Sequence, residues 1–436
     1  MRGRAGAPPL DPVTVRRLGA ALVRALPRAA ERHRLLIGRD TRESGDWIGR
    51  ELAHGATGAG GTVVSAGVIS TPAVAYLTRE GAFDAGVVIS ASHNPFEDNG
   101  IKVFSGAGEK FTERLERQIE AEVADASWSV KAGPAAPLFD EDLSAPYLAH
   151  ARAAVPGASR LAGLRAAVDC ANGATSVLAP RVLAGLGLDV VPLACAPDGR
   201  NINLACGSTN PAGLARVVVE RGCGLGIAFD GDGDRAIFVS HTGRVVDGDA
   251  VMLMTARHLQ AAGRLRHGAI VATVMSNIGL EIALGESGIG LVRCPVGDKY
   301  VMEEMIRRDL VLGGEQSGHV IFSEFLYTGD GLVTALNVLQ VMAATGRSLE
   351  DLASQLTTYP QVLVNVRVKA RRDWREVPEV AAACAEVERR LAGHGRLLVR
   401  YSGTEPLLRI MLEGRDQDEI RAWAERIAAE VRAHLA

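Results

Sequence analysis

The sequence predicts an α/β fold of three related α/β modules with mixed sheets, followed by a smaller C-terminal α+β domain. Three observations carry this. Short apolar strands run repeatedly into polar loops, with helical segments between them, which is the pattern of helices packed on parallel or mixed sheets. From Pro360 onward the pattern changes to an alternating strand, a helix, two more strands and a helix. At 436 residues the chain is also too long for one core, and length alone points to roughly two to four domains.

In chain order, Asp11-Pro12 opens an amphipathic helix that runs to Val23, with the aspartate as N-cap and the proline at the first helical position. A strand over 35–37 enters the loop Gly38-Arg39-Asp40-Thr41-Arg42, and one over 85–89 enters Ser90-Ala91-Ser92-His93-Asn94-Pro95. Residues 166–168 lead into Asp169-Cys170-Ala171-Asn172-Gly173, and 225–229 lead into Asp230. Strands over 269–272 and 310–312 enter Thr273 and Gly313-Gly314-Glu315. Helices are expected over 111–126, 214–221 and 329–344. The last part reads as a strand over 361–369, a helix over 377–391, strands over 397–400 and 408–413, and a helix over 417–435. Linkers are expected at 134–137 and 146–156, with a later turn near 247–249. The resulting domains are 1–143, 144–250, 251–358 and 359–436. Chemistry in such sheets sits in loops at the carboxyl ends of strands, where these polar loops fall.

Composition narrows the function. Hydrophobic residues make up 47% and charged residues 23%, an ordinary globular balance. A net charge of −3 leaves no footprint for nucleic acid. No apolar run reaches the roughly 18 residues of a membrane helix and no secretory leader is visible, so a cytoplasmic location is expected. The cysteines are scattered with no CxxC pair, which argues for reduced thiols rather than disulfides or zinc. Lysine occurs only at Lys102, Lys110, Lys131, Lys299 and Lys369. A lysine in a polar loop is therefore a candidate for its titratable amine, though chance accounts for any single one as readily.

The densest chemical signal is Asp230-Gly231-Asp232-Gly233-Asp234-Arg235. Three carboxylates alternating with glycines after a buried strand can converge on one hard cation. An EF-hand fails because Arg235 stands where its glycine belongs and His241 where its glutamate belongs. A dinucleotide loop fails because the aspartates would repel a pyrophosphate. Ser92 reads either as a turn cap or as a nucleophile, and His93 is too close in sequence to serve as its base. Gly313-Gly314-Glu315-Gln316-Ser317-Gly318-His319 suits hydrogen bonding to sugar hydroxyls but is not specific alone. Arg400-Tyr401-Ser402-Gly403-Thr404-Glu405-Pro406, with Arg409 beyond, reads as a phosphate cradle or as a capped hairpin with surface arginines. No P-loop occurs, which argues against a nucleoside triphosphate as donor.

These four loops, in this order and over nearly the whole chain, resemble the α-D-phosphohexomutases. That family shows a Ser-His-Asn-Pro loop, an Asp-Gly-Asp-x-Asp-Arg loop, a Gly-Glu-x-Ser-Gly-His loop and an Arg-x-Ser-Gly-Thr-Glu-Pro loop. Several stretches are most similar to the bacterial glucosamine branch: Ser90 to Pro95, Cys206-Gly207-Ser208-Thr209, Val296-Gly297-Asp298-Lys299-Tyr300, Glu315 to His319, and Tyr359 to Val366. Gly233 stands where that branch more often has alanine. The phosphomannomutase/phosphoglucomutase branch is the alternative.

The resemblance implies an isomerase that interconverts glucosamine 6-phosphate and glucosamine 1-phosphate for cell-wall precursor synthesis. Ser92 would carry the phosphoryl group and complete a Mg²⁺ shell with Asp230, Asp232 and Asp234. Lys102 would be the general base and acid, with His93 and Arg235 stabilising phosphate charge. Glu315 and Ser317 would grip sugar hydroxyls, with His319 beside them. Arg400, Ser402, Gly403, Thr404 and Arg409 would hold the non-reacting phosphate. A hexosamine 1,6-bisphosphate would be both intermediate and activator. The partner is then a small phosphosugar, not nucleic acid or a membrane, and a homodimer is compatible with this reading.

Two readings from other classes remain. One is a haloacid-dehalogenase-type phosphatase, whose Asp-x-Asp loop continues differently. The other is a phosphosugar-binding protein without turnover. The family pattern also begins Phe-Gly-Thr-Asp-Gly-Ile-Arg-Gly, whereas this chain begins Met1-Arg2-Gly3. Arg2 would match the family's catalytic arginine without the strand that leads into it. The expectation is a frayed terminus and a mobile arginine, with the missing residues either in frame upstream or lost.

Overall fold

The computed structural model describes the chain except residues 28–31, 131–132, 134, 392 and 403–404, and the side chains of 158–159. Lys131 and the start of the linker expected at 134–137 thus lie outside the described residues. The chain divides into two compact units, Met1–Met275 with Ile289–Gln355 and Ser276–Gly288 with Leu356–Ala436.

The first unit holds three sheets built to one plan. The first sheet runs in the order Arg2–Arg4, Asp98–Ser105, Ala85–Ile89, Arg34–Arg39, Thr62–Val68. The second runs Val245–Val246, Ala236–Ser240, Leu225–Phe229, Arg165–Asp169, Asp189–Leu193. The third runs Gly290–Cys294, Ala269–Thr273, Leu312–Gly314, Val320–Phe322. In each sheet three neighbouring strands are parallel, and the last of them in sequence is followed directly by an antiparallel neighbour. Every residue of Ala85–Ile89 and Leu225–Phe229 is buried, as expected where helices cover both faces of a sheet.

Three polar loops occupy the same place in these three sheets. Ser90 to Glu97 lies between Ala85–Ile89 and its antiparallel partner. Asp230 to Arg235 and Glu315 to His319 lie at the equivalent turns of the second and third sheets.

The structure revises several sequence expectations. Residues 146–156 do not form a linker but mostly a helix, Ser144–Arg152, whose Tyr147, Leu148 and Ala151 are buried. Pro146 is tolerated there because it lies in the first turn, where backbone N–H groups have no intrahelical partner. The turn expected near 247–249 is a helix start, with Asp247 accepting from Ala250 N as the N-cap of Gly248–Ala261. The strand expected at 310–312 forms two residues later, as Leu312–Gly314. Arg2 does not lack a strand, because Arg2–Arg4 pairs antiparallel with Asp98–Ser105 and places Arg2 opposite Gly100. The Met1 amino group extends that pairing by donating to Ile101 O at 3.1 Å.

In the second unit, Gln361–Arg367, Leu407–Glu413 and Arg396–Tyr401 form an antiparallel sheet with Leu407–Glu413 at its centre. Helices Pro378–Leu391 and Gln417–His434 share its apolar core. Among the described residues, no helix is long and apolar enough to cross a membrane.

The helix Gly331–Thr345 starts at a buried cap. Asp330 accepts from Val333 N at 3.0 Å and from Tyr147 Oη at 3.0 and 3.1 Å. Burial, opposed by those bonds, pushes its pKa up to about 7. A carboxyl raised in the folded state contributes stability that is present below its unfolded pKa and lost as pH rises through the folded value. Asp330→Asn, which keeps a capping oxygen, should therefore gain stability relative to the parent between about pH 5 and about pH 8. Chemical denaturation of both proteins at the two pH values measures this, and an equal difference at both would refute the assignment.

Candidate active site

Ser92 has φ 53°, a left-handed conformation unusual for a residue with a Cβ. Such strain persists only where the surroundings over-determine it. Here Ser92 N donates to Ser90 Oγ at 2.9 Å, while Ser92 O accepts from Asn203 Nδ2 at 2.9 Å and Arg42 Nη2 at 3.2 Å. Arg42 is itself buried against Asp40, which also accepts from Ser90 Oγ. The Ser92 hydroxyl does not cap its own turn. It donates to Asp230 Oδ2 at 2.5 Å, with His93 Nδ1 3.4 Å away. Burial, Arg235 and Arg2 hold the His93 imidazole below its usual pKa, so near neutrality it is uncharged.

Asp230, Asp232 and Asp234 are buried, and they offer carboxylate oxygens within 4.8 Å of one another. Burial and its two neighbours push Asp230 well above the carboxylate range. Burial acts the same way on Asp234, but Lys102, His319 and Arg235 outweigh it and hold Asp234 well below that range. Lys102 Nζ lies 2.5 Å from Asp232 Oδ2 and 3.0 Å from Asp234 Oδ2, and despite its own burial these carboxylates raise its pKa. Thr71 Oγ1 also donates to Asp232. Among the described residues, Asp232 Oδ1 and Asp234 Oδ1 have no hydrogen-bond partner, though His319 Nδ1 and Arg235 Nε lie 3.7 Å from the latter. Buried carboxylate oxygens left open in this way fit a hard divalent cation.

The third loop places Glu315 Oε1 against Gly297 N at 3.2 Å and Oε2 against Ser317 Oγ at 3.4 Å. His319 does not stand beside an open sugar site. It is 2% exposed, its Nε2 lies 3.2 Å from Gly329 N, and its Nδ1 faces Asp234 Oδ1 at 3.7 Å. Gln316 donates to Asp247 Oδ2 at 3.1 Å and does not line the cleft.

A cleft of about 490 Å³ joins these groups. Arg2, Ser92, Lys102, Asp234, Arg235 and Glu315 line it. Sequence reasoning missed two further walls, Lys110 and Asp298, which form an ion pair. Burial would raise Asp298, but His319 and Lys110 hold it down to about 2. Lys110 carried a faint signal as one of the few lysines, and Asp298 lay in a stretch that sets the glucosamine branch apart.

In the second unit, Arg400 and Arg409 face each other across adjacent strands. Burial and Arg409 lower the Arg400 pKa, a like-charge opposition that a bound anion relieves. Arg409 Nη2 donates to Ser402 Oγ at 3.3 Å and Glu405 Oε2 at 3.1 Å. Arg371, unmarked in the sequence, donates to Ser402 O at 2.7 Å. Gly403 and Thr404 lie outside the described residues.

Gly231 is where the first two loops touch. A Cβ there would stand 2.5 Å from Ser92 O and 3.0 Å from Asn203 Nδ2. Gly231→Ala should push the loops apart at a cost of about 1–3 kcal/mol and weaken divalent-cation binding. Denaturation and a Mg²⁺ titration read the two effects, and parental behaviour in both would show that the contact is slack.

The phosphoglucomutase/phosphomannomutase domain models match the chain in series. Domain I matches residues 1–129, domain II 145–243, domain III 247–359 and the C-terminal domain 363–430. A phosphoglucosamine mutase of Solibacter usitatus is 48% identical, covering 100% of this chain and 97% of that protein. Another, from Alkalilimnicola ehrlichii, is 48% identical over 99% of this chain and 96% of its own. A phosphoglucomutase/phosphomannomutase family protein of Burkholderia thailandensis shares the fold, with a TM-score of 0.81 at 22% identity, covering 99% of this chain and 96% of that one. With the family matched from end to end, the phosphatase reading falls away. A buried serine hydroxyl aimed at a carboxylate cluster, in a chain that follows this family through all its domains, leaves one conclusion: the chain belongs to the phosphoglucomutase/phosphomannomutase family, the phosphohexomutases, and is an isomerase of that class.

Proposed function

We propose that this enzyme interconverts glucosamine 6-phosphate and glucosamine 1-phosphate through a phosphoserine at Ser92 and a 1,6-bisphosphate intermediate. The observation that carries the mechanism is the strained Ser92, whose hydroxyl is fixed on Asp230 at 2.5 Å beside Lys102 and the other carboxylates. The choice of sugar rests on the relatives named phosphoglucosamine mutase.

Asp230, Asp232 and Asp234, with an oxygen of phosphorylated Ser92, would hold Mg²⁺. When bound, that ion neutralises charge on the phosphoryl group during in-line transfer. Ser92 presents the phosphoryl group to a sugar hydroxyl. The bond from phosphorus to Ser92 Oγ breaks as the bond to the hydroxyl oxygen forms. Lys102 accepts the hydroxyl proton. In the structure described here Asp232 and Asp234 keep it protonated, so it becomes a base only once those carboxylates are neutralised. Arg235 and Arg2 stabilise phosphate charge, and Glu315 with Ser317 orients the sugar. We assign phosphate binding to Arg400, Ser402, Gly403, Thr404 and Arg409. The bisphosphate then presents its other phosphate to Ser92, and 1,6-bisphosphate added from solution would recharge an enzyme that has lost its phosphoryl group.

Intact-mass analysis should find part of the protein heavier by one phosphate, and Ser92→Ala should lack that species and turnover together. An active Ser92→Ala would exclude the phosphoserine route. Comparing kcat/KM for glucosamine, glucose and mannose phosphates tests the sugar, and a preference for glucose or mannose would move the enzyme to the other branch.

Lys102 competes with a divalent cation for the same carboxylates. A unit charge about 4 Å away counts for roughly 4 kcal/mol at an effective dielectric near 20. Lys102→Met should therefore bind Mg²⁺ at least tenfold more tightly by calorimetry while turning over far more slowly. Unchanged affinity would mean that the ammonium and the cation do not share the site.

A further inference from the structure

The loop Asp169-Cys170-Ala171-Asn172-Gly173 takes no part in the chemistry above, yet both reacting loops rest on it. Ala171 O accepts from Asn203 N at 2.9 Å, and the same asparagine donates its amide to Ser92 O at 2.9 Å and Asn94 O at 3.0 Å. Ala174 N donates to Gly231 O at 2.9 Å, and a Cβ on Gly173 would stand 2.3 Å from that oxygen. Asp169 closes the loop from below by accepting from Ala171 N at 2.9 Å and Gly207 N at 2.8 Å.

The backbone here is under tension. Ala171 and Asn172 have φ of 54° and 48°, and Ala194, at the end of the neighbouring strand, has 46°. A left-handed alanine is sterically strained, and such residues cluster at active sites, ligand clamps and switch regions.

Two cysteines flank this strain. Arg165–Asp169 and Asp189–Leu193 are parallel, with Asp169 opposite Leu193, so Cys170 and Cys195 leave the sheet side by side. Leu193 O accepts from both Cys170 N and the Cys195 thiol, each at 3.1 Å. The two thiols are close enough to shift each other's ionisation. Cys170 is buried and Cys195 half-buried, so a small reagent meets Cys195 first.

We propose that Cys170 and Cys195 form a redox-modification site that closes to a disulfide with a small-molecule disulfide as oxidant, and that closure loosens the phosphoserine and metal loops. Cys195 is the more exposed of the pair, and the neighbouring Cys170 thiol holds it below its usual pKa, so Cys195 is the attacking thiolate. Burial pushes Cys206, another part-exposed thiol, up to about 11. The Cys195 thiolate attacks one sulfur of R–S–S–R, forming a mixed disulfide and releasing RS⁻, which takes the proton Cys195 gave up. Cys170 then loses its proton and displaces the second RS⁻, which leaves as RSH. The two protein thiols lose two electrons, and the small disulfide gains them. An S–S bond of about 2 Å is far shorter than any non-bonded approach of two thiols. Closure therefore draws Cys170 toward Cys195 and takes the Cys195 thiol from Leu193 O. The displacement reaches Ala171 and Gly173, on which Asn203 and Gly231 depend.

The test treats the full-length protein with oxidised glutathione and maps its peptides without reduction. The expected result is one peptide joining Cys170 to Cys195. Turnover should fall in step by up to about a hundredfold, the scale of an ångström-level misplacement, Mg²⁺ affinity should weaken, and dithiothreitol should restore both. Cys195→Ser should match the parent before treatment and resist it afterwards, with Cys195→Ala beside it to separate any packing loss. Cys206→Ser should stay sensitive. The peptide map depends on neither the sugar nor the metal, so it tests the site even if the assigned substrate is wrong. A glutathione adduct on Cys195 with Cys170 free, or a joined peptide with unchanged turnover, would overturn the proposal. Inactivation of Cys195→Ser at the parental rate would do so as well.

Discussion

Three aspartates buried at the end of one strand set the terms for everything around them. At separations under 4.8 Å, each pair of like charges repels by about 3–4 kcal/mol at an effective dielectric near 20. Burial adds a desolvation cost for each charge. The structure meets this by sharing. Asp230 is pushed toward its protonated form and takes the Ser92 hydroxyl, Asp232 and Asp234 share Lys102, and Thr71, Arg235 and His319 close the remaining sides. These partners come from distant parts of the first unit, so the site assembles only when its sheets are formed.

The repeated sheet plan explains how they meet. In each of the three sheets a buried parallel strand turns back into an antiparallel neighbour, and the turn carries polar groups of the candidate site. The first turn supplies the serine, the second the carboxylates and the third the glutamate. Each turn is held at both ends by ladder hydrogen bonds, so its side chains are placed by rigid strands rather than by a free loop.

These turns were legible in the sequence because each packs its chemistry into a few consecutive residues after an apolar run. What was not legible acts across long separations. Thr71 meets Asp232 161 residues away and Arg42 meets Ser92 50 residues away, and neither residue looks unusual where it stands. Arg2–Arg4 is too short to show a period, and its place follows from pairing with Asp98–Ser105. Pro146 read as a linker because proline usually breaks helices, yet it sits in a first turn. His319 read as a sugar contact by its neighbours in sequence, but its ring turns inward to Gly329 and Asp234.

On the proposed function, that inward histidine would join two binding equilibria. Its Nδ1 faces Asp234, while its own backbone oxygen accepts from Glu315 N at 2.9 Å. Whatever engages the carboxylates changes the field on His319, and through it the turn that carries Glu315. Thermodynamic reciprocity then applies: if a cation at the aspartates tightens sugar binding by some factor, the sugar must tighten the cation by the same factor. On the proposed function, the imidazole between the two loops would make cation and sugar mutual effectors, so the affinity of either would have meaning only at a stated concentration of the other.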